Sequence, residues 1–168
     1  MAKRPERAGA ARSPRLSHVD ASGAARMVDV SAKAVTLRTA VARGRIRIAP
    51  AALRLARAGR LAKGGVVEVA RLAGILAAKR TAEAIPLCHP LPLSHVDVAL
   101  VARRDGYEIE ARVRTEAKTG AEMEALHAVS VAALTVYDMV KAADPRMRIT
   151  DVRLVEKSGG RSGTFRGR

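Results

Sequence analysis

Aromatic side chains are almost missing from this chain: one Phe, two Tyr and no Trp among 168 residues. Proteins that read single-stranded nucleic acid stack its bases on aromatic rings, and this composition offers no such platform. The same scarcity means that the interior is built from Ala, Val, Leu and Ile, which supply most of the 48% hydrophobic content. A single Cys, Cys88, excludes an internal disulfide, and with four His it forms no closed metal-ligand spacing. Long apolar runs are also missing. The longest uncharged one, 125–137, falls short of the roughly 20 residues that a bilayer-spanning helix needs. The basic N-terminus is not followed by an apolar stretch of the kind a signal peptide carries. The expectation is a cytoplasmic protein.

Lysine is scarce too, at 7 residues against 24 Arg, in a chain whose net charge is +15. Such a charge invites a polyanionic partner, but its distribution weakens the nucleic-acid reading. Much of it sits in 1–15, read as a disordered basic arm, and in 158–168, read as a flexible Gly/Arg-rich tail. Between residues 16 and 156, 22 basic residues face 15 acidic ones. That modest excess suits a small phosphorylated substrate as well as it suits RNA. No linker divides the middle, so 16–157 reads as one domain.

Within that domain the pattern is α+β. "RMVDVS" (26–31) and "VTLRTAVARGRIRI" (35–48) read as strands, with Gly44 interrupting the second. Pro50 opens a short helix that Gly59 ends. Residues 66–83 read as a longer helix whose stripe of Val69, Leu72, Ala73 and Leu76 would face the core. A hairpin turns at Asp105-Gly106, with Tyr107, Ile109, Ala111 and Val113 on one face and Glu108, Glu110, Arg112 and Arg114 on the other. A helix over 121–142 and a last strand, "RITDVRLVEK", complete the order. This β-β-α-α-β-β-α-β succession lacks regular βαβ alternation and suggests an antiparallel sheet with helices mainly on one face.

The surviving lysines (3, 33, 63, 79, 118, 141 and 157) are candidates for proton transfer, because an ammonium can be tuned to titrate and a guanidinium cannot. Scatter among surface residues explains any single one equally well. Lys63 precedes Gly64 and Gly65 at a helix start, where free N–H groups can receive an anion, or where a plain turn sits. Cys88-His89 lies between Pro86 and Pro90 in a stiff loop. There His89 can bind or shuttle protons, while Cys88 needs a base partner to act as a nucleophile. His95 and His127 read as structural, each within a patterned strand or helix. Glu122 and Glu124 occupy a first helical turn, which the helix dipole alone would explain. Asp138 and Lys141, three residues apart, share a helix face and can tune each other, with burial lowering the Lys pKa. Glu124 and Asp138 lie about 21 Å apart along one helix, so they serve one site only if a pocket runs along it or another subunit completes it.

"MVDVSAK" (27–33), "AGILAAKRT" (73–81), "IPLCHPLPLS" (85–94), "KTGAEMEAL" (118–126), "SVAALTVYDMVKA" (130–142) and "KSGGRSG" (157–163) occur in this order without a large gap. Together they resemble the molybdenum cofactor biosynthesis protein C family, the cyclic pyranopterin monophosphate synthases. The resemblance implies a ferredoxin-like α+β subunit in a homohexamer, a trimer of dimers, with sites at subunit interfaces. It implies a lyase that converts (8S)-3',8-cyclo-7,8-dihydroguanosine 5'-triphosphate to cyclic pyranopterin monophosphate plus diphosphate. No redox cofactor is implied, and a divalent ion accompanying the triphosphate stays open.

By motif position, Asp138, Lys141 and Lys63 resemble the family's catalytic groups. Leu87, Cys88, His89, Glu122, Met123 and Glu124 fall where the family holds substrate. Asp29, Lys33, Arg38 and Lys157 match positions that line the pocket or receive phosphate. Three residues depart from the family pattern: Gly65 stands for a usual acid, His127 for a small polar residue and Val140 for a common cysteine.

Overall fold

The computed structural model describes residues 22–61, 64–161 and 163–167. The basic arm expected at 1–15 and the candidate Lys63 lie outside them. Among the described residues the elements run β1 (Thr36–Arg47), α1 (Pro50–Arg57), α2 (Val66–Lys79), α3 (Thr81–Ala84), β2 (Leu93–Arg103), β3 (Gly106–Ala117), α4 (Glu122–Val140), β4 (Arg148–Ser158) and β5 (Phe165–Arg166). The strands form one antiparallel sheet in the order β2-β3-β1-β4-β5. α4 crosses β1, β3 and β4, α2 covers β2, and the two helices pack against each other. This is an α+β, ferredoxin-like arrangement with its helices on one face.

The register explains the core. β1 pairs Ala40, Ala42 and Ile46 with Val113, Ala111 and Tyr107 of β3, and all six are buried on the helix-facing side. Charged residues that alternate with them turn outward, where Arg43 meets Glu110 at 2.7 Å and Glu108 meets Arg103 of β2 at 2.8 Å. The Asp105-Gly106 turn is where expected. Gly106 has φ 150°, and a Cβ there would stand 1.8 Å from the Ile46 carbonyl oxygen. Pro50 opens α1, and Gly59 follows it with φ 64°.

Four expectations change. Residues 26–31 are not a strand, because their backbone groups bond elsewhere. Ser31 N–H donates to Asp29 Oδ1 at 2.8 Å, Lys33 N–H to Val30 O at 3.0 Å, and Val28 O accepts from His89. The irregularity expected at Gly44 is present, by contrast: β1 runs on through it, but its pairing with β4 shifts register between Arg43 and Arg45, around Gly44. Gly44 lies under α4, where a Cβ would come 2.6 Å from Val129 Cγ1. The helix read over 66–83 breaks at Arg80, and part of the expected free tail, Phe165–Arg166, pairs with Glu156 and Lys157.

The fourth change concerns α2. Its inner side carries Val66, Ala70, Gly74, Ala77 and Ala78, whereas Val69, Leu72 and Leu76 of the expected stripe are exposed. Close approach to α4 is the reason. A Cβ on Gly74 would lie 2.9 Å from the Ala128 carbonyl oxygen, so small residues face inward and the larger ones are left outside. α4 is long and apolar enough to cross a membrane by length and composition alone. Nine of its 19 residues are buried against the sheet and α2, which makes it the core helix of this fold.

Candidate active site

At one end of the sheet, where β1 and α4 begin and β3 and β4 finish, most of the candidate binding residues converge. The loop holding Asp29 and Lys33 is tied there twice. His89 Nε2 lies 2.9 Å from Val28 O, and Lys118 Nζ donates to Ser31 O at 2.7 Å. A carbonyl oxygen can only accept, so Nε2 carries the proton and Nδ1 of a neutral His89 is left as an acceptor. Asp29 is held below the usual carboxylate range by the Ser31 N–H and by the Lys118 and Arg26 charges.

Behind the loop, Arg38 projects from the helix-facing side of β1. Its guanidinium makes long contacts, 3.3 Å to Lys118 O and 3.5 Å to Gly159 O, and its buried Nε has no partner among the described residues. Thr36, two residues earlier on the same face, likewise leaves a buried Oγ1 unpaired. Gly159 and Gly160 curl over Arg38 with φ 94° and 73°, and a Cβ on Gly160 would strike the guanidinium. Lys157 Nζ reaches Glu122 in the first turn of α4 at 2.9 Å.

Glu124, two residues further along α4, is 4% exposed. Burial pushes its carboxyl up to about 7, and the Glu122 charge adds to the effect. It lines a cavity of about 130 Å³ with Thr81, Pro90 and Leu91. The half-buried Cys88 is close enough for the Glu124 charge to reinforce the burial that raises its thiol pKa. Leu87 and His89 are half-buried in the same loop, while Met123 is exposed. Sequence reasoning gave Lys118 no place in this cluster, although it is one of the seven lysines.

Asp138 and Lys141 are elsewhere. They form an ion pair of 2.8 Å at the C-terminal end of α4, with both side chains 54% exposed. The expected lowering of the Lys141 pKa is reversed. The hydrogen bond and charge of Asp138 raise it, and within one chain little burial opposes them. By helical rise the pair is about 21 Å along the axis from Glu124. α2 runs antiparallel to α4, with Gly74 against Ala128 and Thr81 Oγ1 3.2 Å from His127 Nδ1. Gly64 and Gly65, at the start of α2, therefore belong to the Asp138 end. One chain thus presents two half-sites: a cationic and acidic cluster at one end, and an Asp–Lys pair with the α2 start at the other. Among the described residues no three His, Cys, Asp or Glu side chains converge as a metal site would require.

The motifs spread over these elements match a known family from residue 27 to residue 160. The chain belongs to the MoaC family. Its relatives include proteins named cyclic pyranopterin monophosphate synthase from Dinoroseobacter shibae, 60% identical over 89% of this chain and 96% of the relative. A protein of that name from Thermomicrobium roseum is 61% identical over 90% and 92%. One from a Methylobacterium species is 62% identical over 89% and 95%. The departures from the MoaC family pattern fall in distinct surroundings. Val140 is fully buried in the core, so its side chain does not share the exposed face of Asp138 and Lys141. His127 meets Thr81, and Gly65 precedes α2 without a side-chain cap.

Proposed function

We propose that this chain is a cyclic pyranopterin monophosphate synthase of molybdenum cofactor biosynthesis. In this reading it converts (8S)-3',8-cyclo-7,8-dihydroguanosine 5'-triphosphate to cyclic pyranopterin monophosphate and releases diphosphate, a lyase reaction. The observation that carries the reading is the identity near 60%, over about nine-tenths of the chain, with relatives bearing that enzyme's name. The cluster around Arg38, Lys118, Lys157 and His89 supports it, because cations and an open imidazole acceptor suit a phosphorylated purine-derived substrate.

Ring opening and pterin closure move several protons, and cyclisation of the phosphate expels diphosphate. Lys63, Asp138 and Lys141 are assigned the proton transfers. The 2.8 Å contact within the Asp138–Lys141 pair gives a proton a direct path between carboxylate and amine. Leu87, Cys88, His89, Glu122, Met123, Glu124, Asp29, Lys33, Arg38 and Lys157 are assigned to substrate, with the cations stabilising charge on the departing diphosphate. No redox cofactor enters this scheme, and a divalent ion travels, if at all, with the triphosphate. The enzyme works as a cytoplasmic homohexamer, a trimer of dimers with sites at subunit interfaces. The separation of the two half-sites along α4 supports that assembly.

Purified full-length protein supplied with the cyclised guanosine triphosphate is expected to yield cyclic pyranopterin monophosphate and diphosphate without another enzyme. Lys63→Ala and Lys141→Ala are each expected to abolish product while keeping the far-ultraviolet circular dichroism of the parent. Full turnover in both variants refutes the assignment of the lysines.

A further inference from the structure

A second cavity, of about 330 Å³, opens between the end of α1, the start of α2 and the β2–β3 hairpin. Its body is apolar, walled by Ala56, Val66, Val67, Leu100 and Ala102. None of its described lining residues is among those assigned to substrate or to proton transfer. None belongs to α4, at whose end the Asp138–Lys141 pair sits.

The polar groups around this space are mostly donors. Tyr107 lines it and is 2% exposed, and its hydroxyl has no hydrogen-bond partner among the described residues. Its partner across the hairpin, Ala102, lines the same space. Burial raises the phenol above its ordinary range, so the hydroxyl stays protonated and can donate, while the Arg57 charge reaches it and opposes that rise. Arg57 donates to Arg103 O at 2.6 Å and meets no carboxylate among the described residues. α2 begins here as well. Gly65 offers no side chain to cap it, and the first bond of the helix runs from Val69 N–H to Gly65 O at 3.2 Å. The N–H groups of Val66, Val67 and Glu68 are therefore without a partner among the described residues. Glu68, the one acid on the described lining, is taken by Arg71 at 2.9 Å.

We propose that this cavity binds a small oxyanion with an apolar body, a phosphate monoester or a carboxylate on a single ring, whose head lies between Tyr107, Arg57 and the start of α2. Donors without acceptors select a negative head, which a guanidinium and free helix N–H groups both favour. The apolar wall selects a body that a bare phosphate ion lacks. The volume sits at the lower end of the roughly 300–1,000 Å³ usual for ligand pockets, which keeps that body small. Packing alone gives no reason for the hydroxyl. A Phe would fill the same space without a buried group left unpaired.

Calorimetric titration of the full-length protein with phenyl phosphate and with benzoate tests this, since the two share a ring and differ in the head. At least one is expected to bind. Tyr107→Phe is expected to weaken that binding about ten-fold, and Arg57→Gln by as much or more. Both variants are expected to keep the parent's circular dichroism. Without ligand, Tyr107→Phe is expected to melt at the parent's temperature or above it, because the hydroxyl it removes has no partner. Inorganic phosphate is expected to bind at least about ten-fold more weakly than phenyl phosphate, because it leaves the apolar wall uncovered. Binding of phenyl phosphate alone assigns a phosphate ester, and binding of benzoate alone a carboxylate. Binding of neither overturns the site, as does an unchanged affinity in either variant, which would put the ligand at the cationic cluster around Arg38. Inorganic phosphate held as tightly as the better ligand overturns the apolar body. A Tyr107→Phe melting temperature well below the parent's assigns the hydroxyl to the fold and overturns its role in binding. Turnover plays no part in these readouts, so the site stands or falls apart from the synthase reading.

Discussion

Glu124 is the residue at which function and stability conflict most plainly. Its carboxyl titrates at about 7 in the fold against 4.5 without it, with burial as the first cause. Between those values the folded chain holds a proton that the unfolded chain has released. Stability therefore falls as pH rises through this window, by roughly 3 kcal/mol in all, and no further above it. Glu124→Gln removes the charge and keeps the shape. Urea unfolding is expected to show the variant more stable than the parent at pH 8 and equal to it at pH 5. A constant difference between those pH values would mean that the carboxyl is not strained by burial. Cys88 follows the same logic. Burial and the Glu124 charge raise its pKa, so the thiolate is rare near neutrality. Iodoacetamide at pH 7.5 is expected to alkylate it more slowly than free cysteine, and faster labelling would reopen the nucleophile reading. Neither environment was legible in the sequence. "EMEAL" and "LCHP" give residue types and order, but burial of one carboxyl depends on α3, the 90–91 loop and α4 meeting around it.

At the scale of elements, α2 shows how periodicity can be right about a helix and wrong about its inward face. The stripe of larger apolar residues predicted the core side, but the spacing of two helices on one sheet was decided by Gly74, Ala70 and Ala78. Gly74→Val is expected to push α2 from the Ala128 carbonyl and lower unfolding stability by about 1–3 kcal/mol. Urea denaturation measures this, and an unchanged midpoint would show that the helices have room to spare. The turn and the two faces of the β2–β3 hairpin were legible, because alternation around Asp-Gly fixes both, whereas the start of β2 at Leu93 and the register shift before His95 were not. The segment 26–31 was not. Its alternation resembles a strand, yet Asp29 captures the local backbone and His89 takes a carbonyl that a ladder would have used.

For the whole molecule, the length of α4 sets the terms. A core helix of 19 residues carries binding groups at its start and the Asp138–Lys141 pair near its end. The exposed pair does little to hold the chain together. Lys141→Ala is therefore expected to lose activity while its thermal unfolding midpoint stays close to the parent's. A large drop in that midpoint would assign Lys141 a structural role instead.

The sequence by itself determined the family, the α+β class, the hairpin and the residue types of the site, because motif order and two-residue alternation are properties of the chain alone. Tertiary structure decided which face of α2 is inside, which carboxyl is forced toward neutrality, and that the candidate groups divide between the two ends of one helix. Those outcomes depend on distances between segments remote in sequence, which only packing against a common sheet can set.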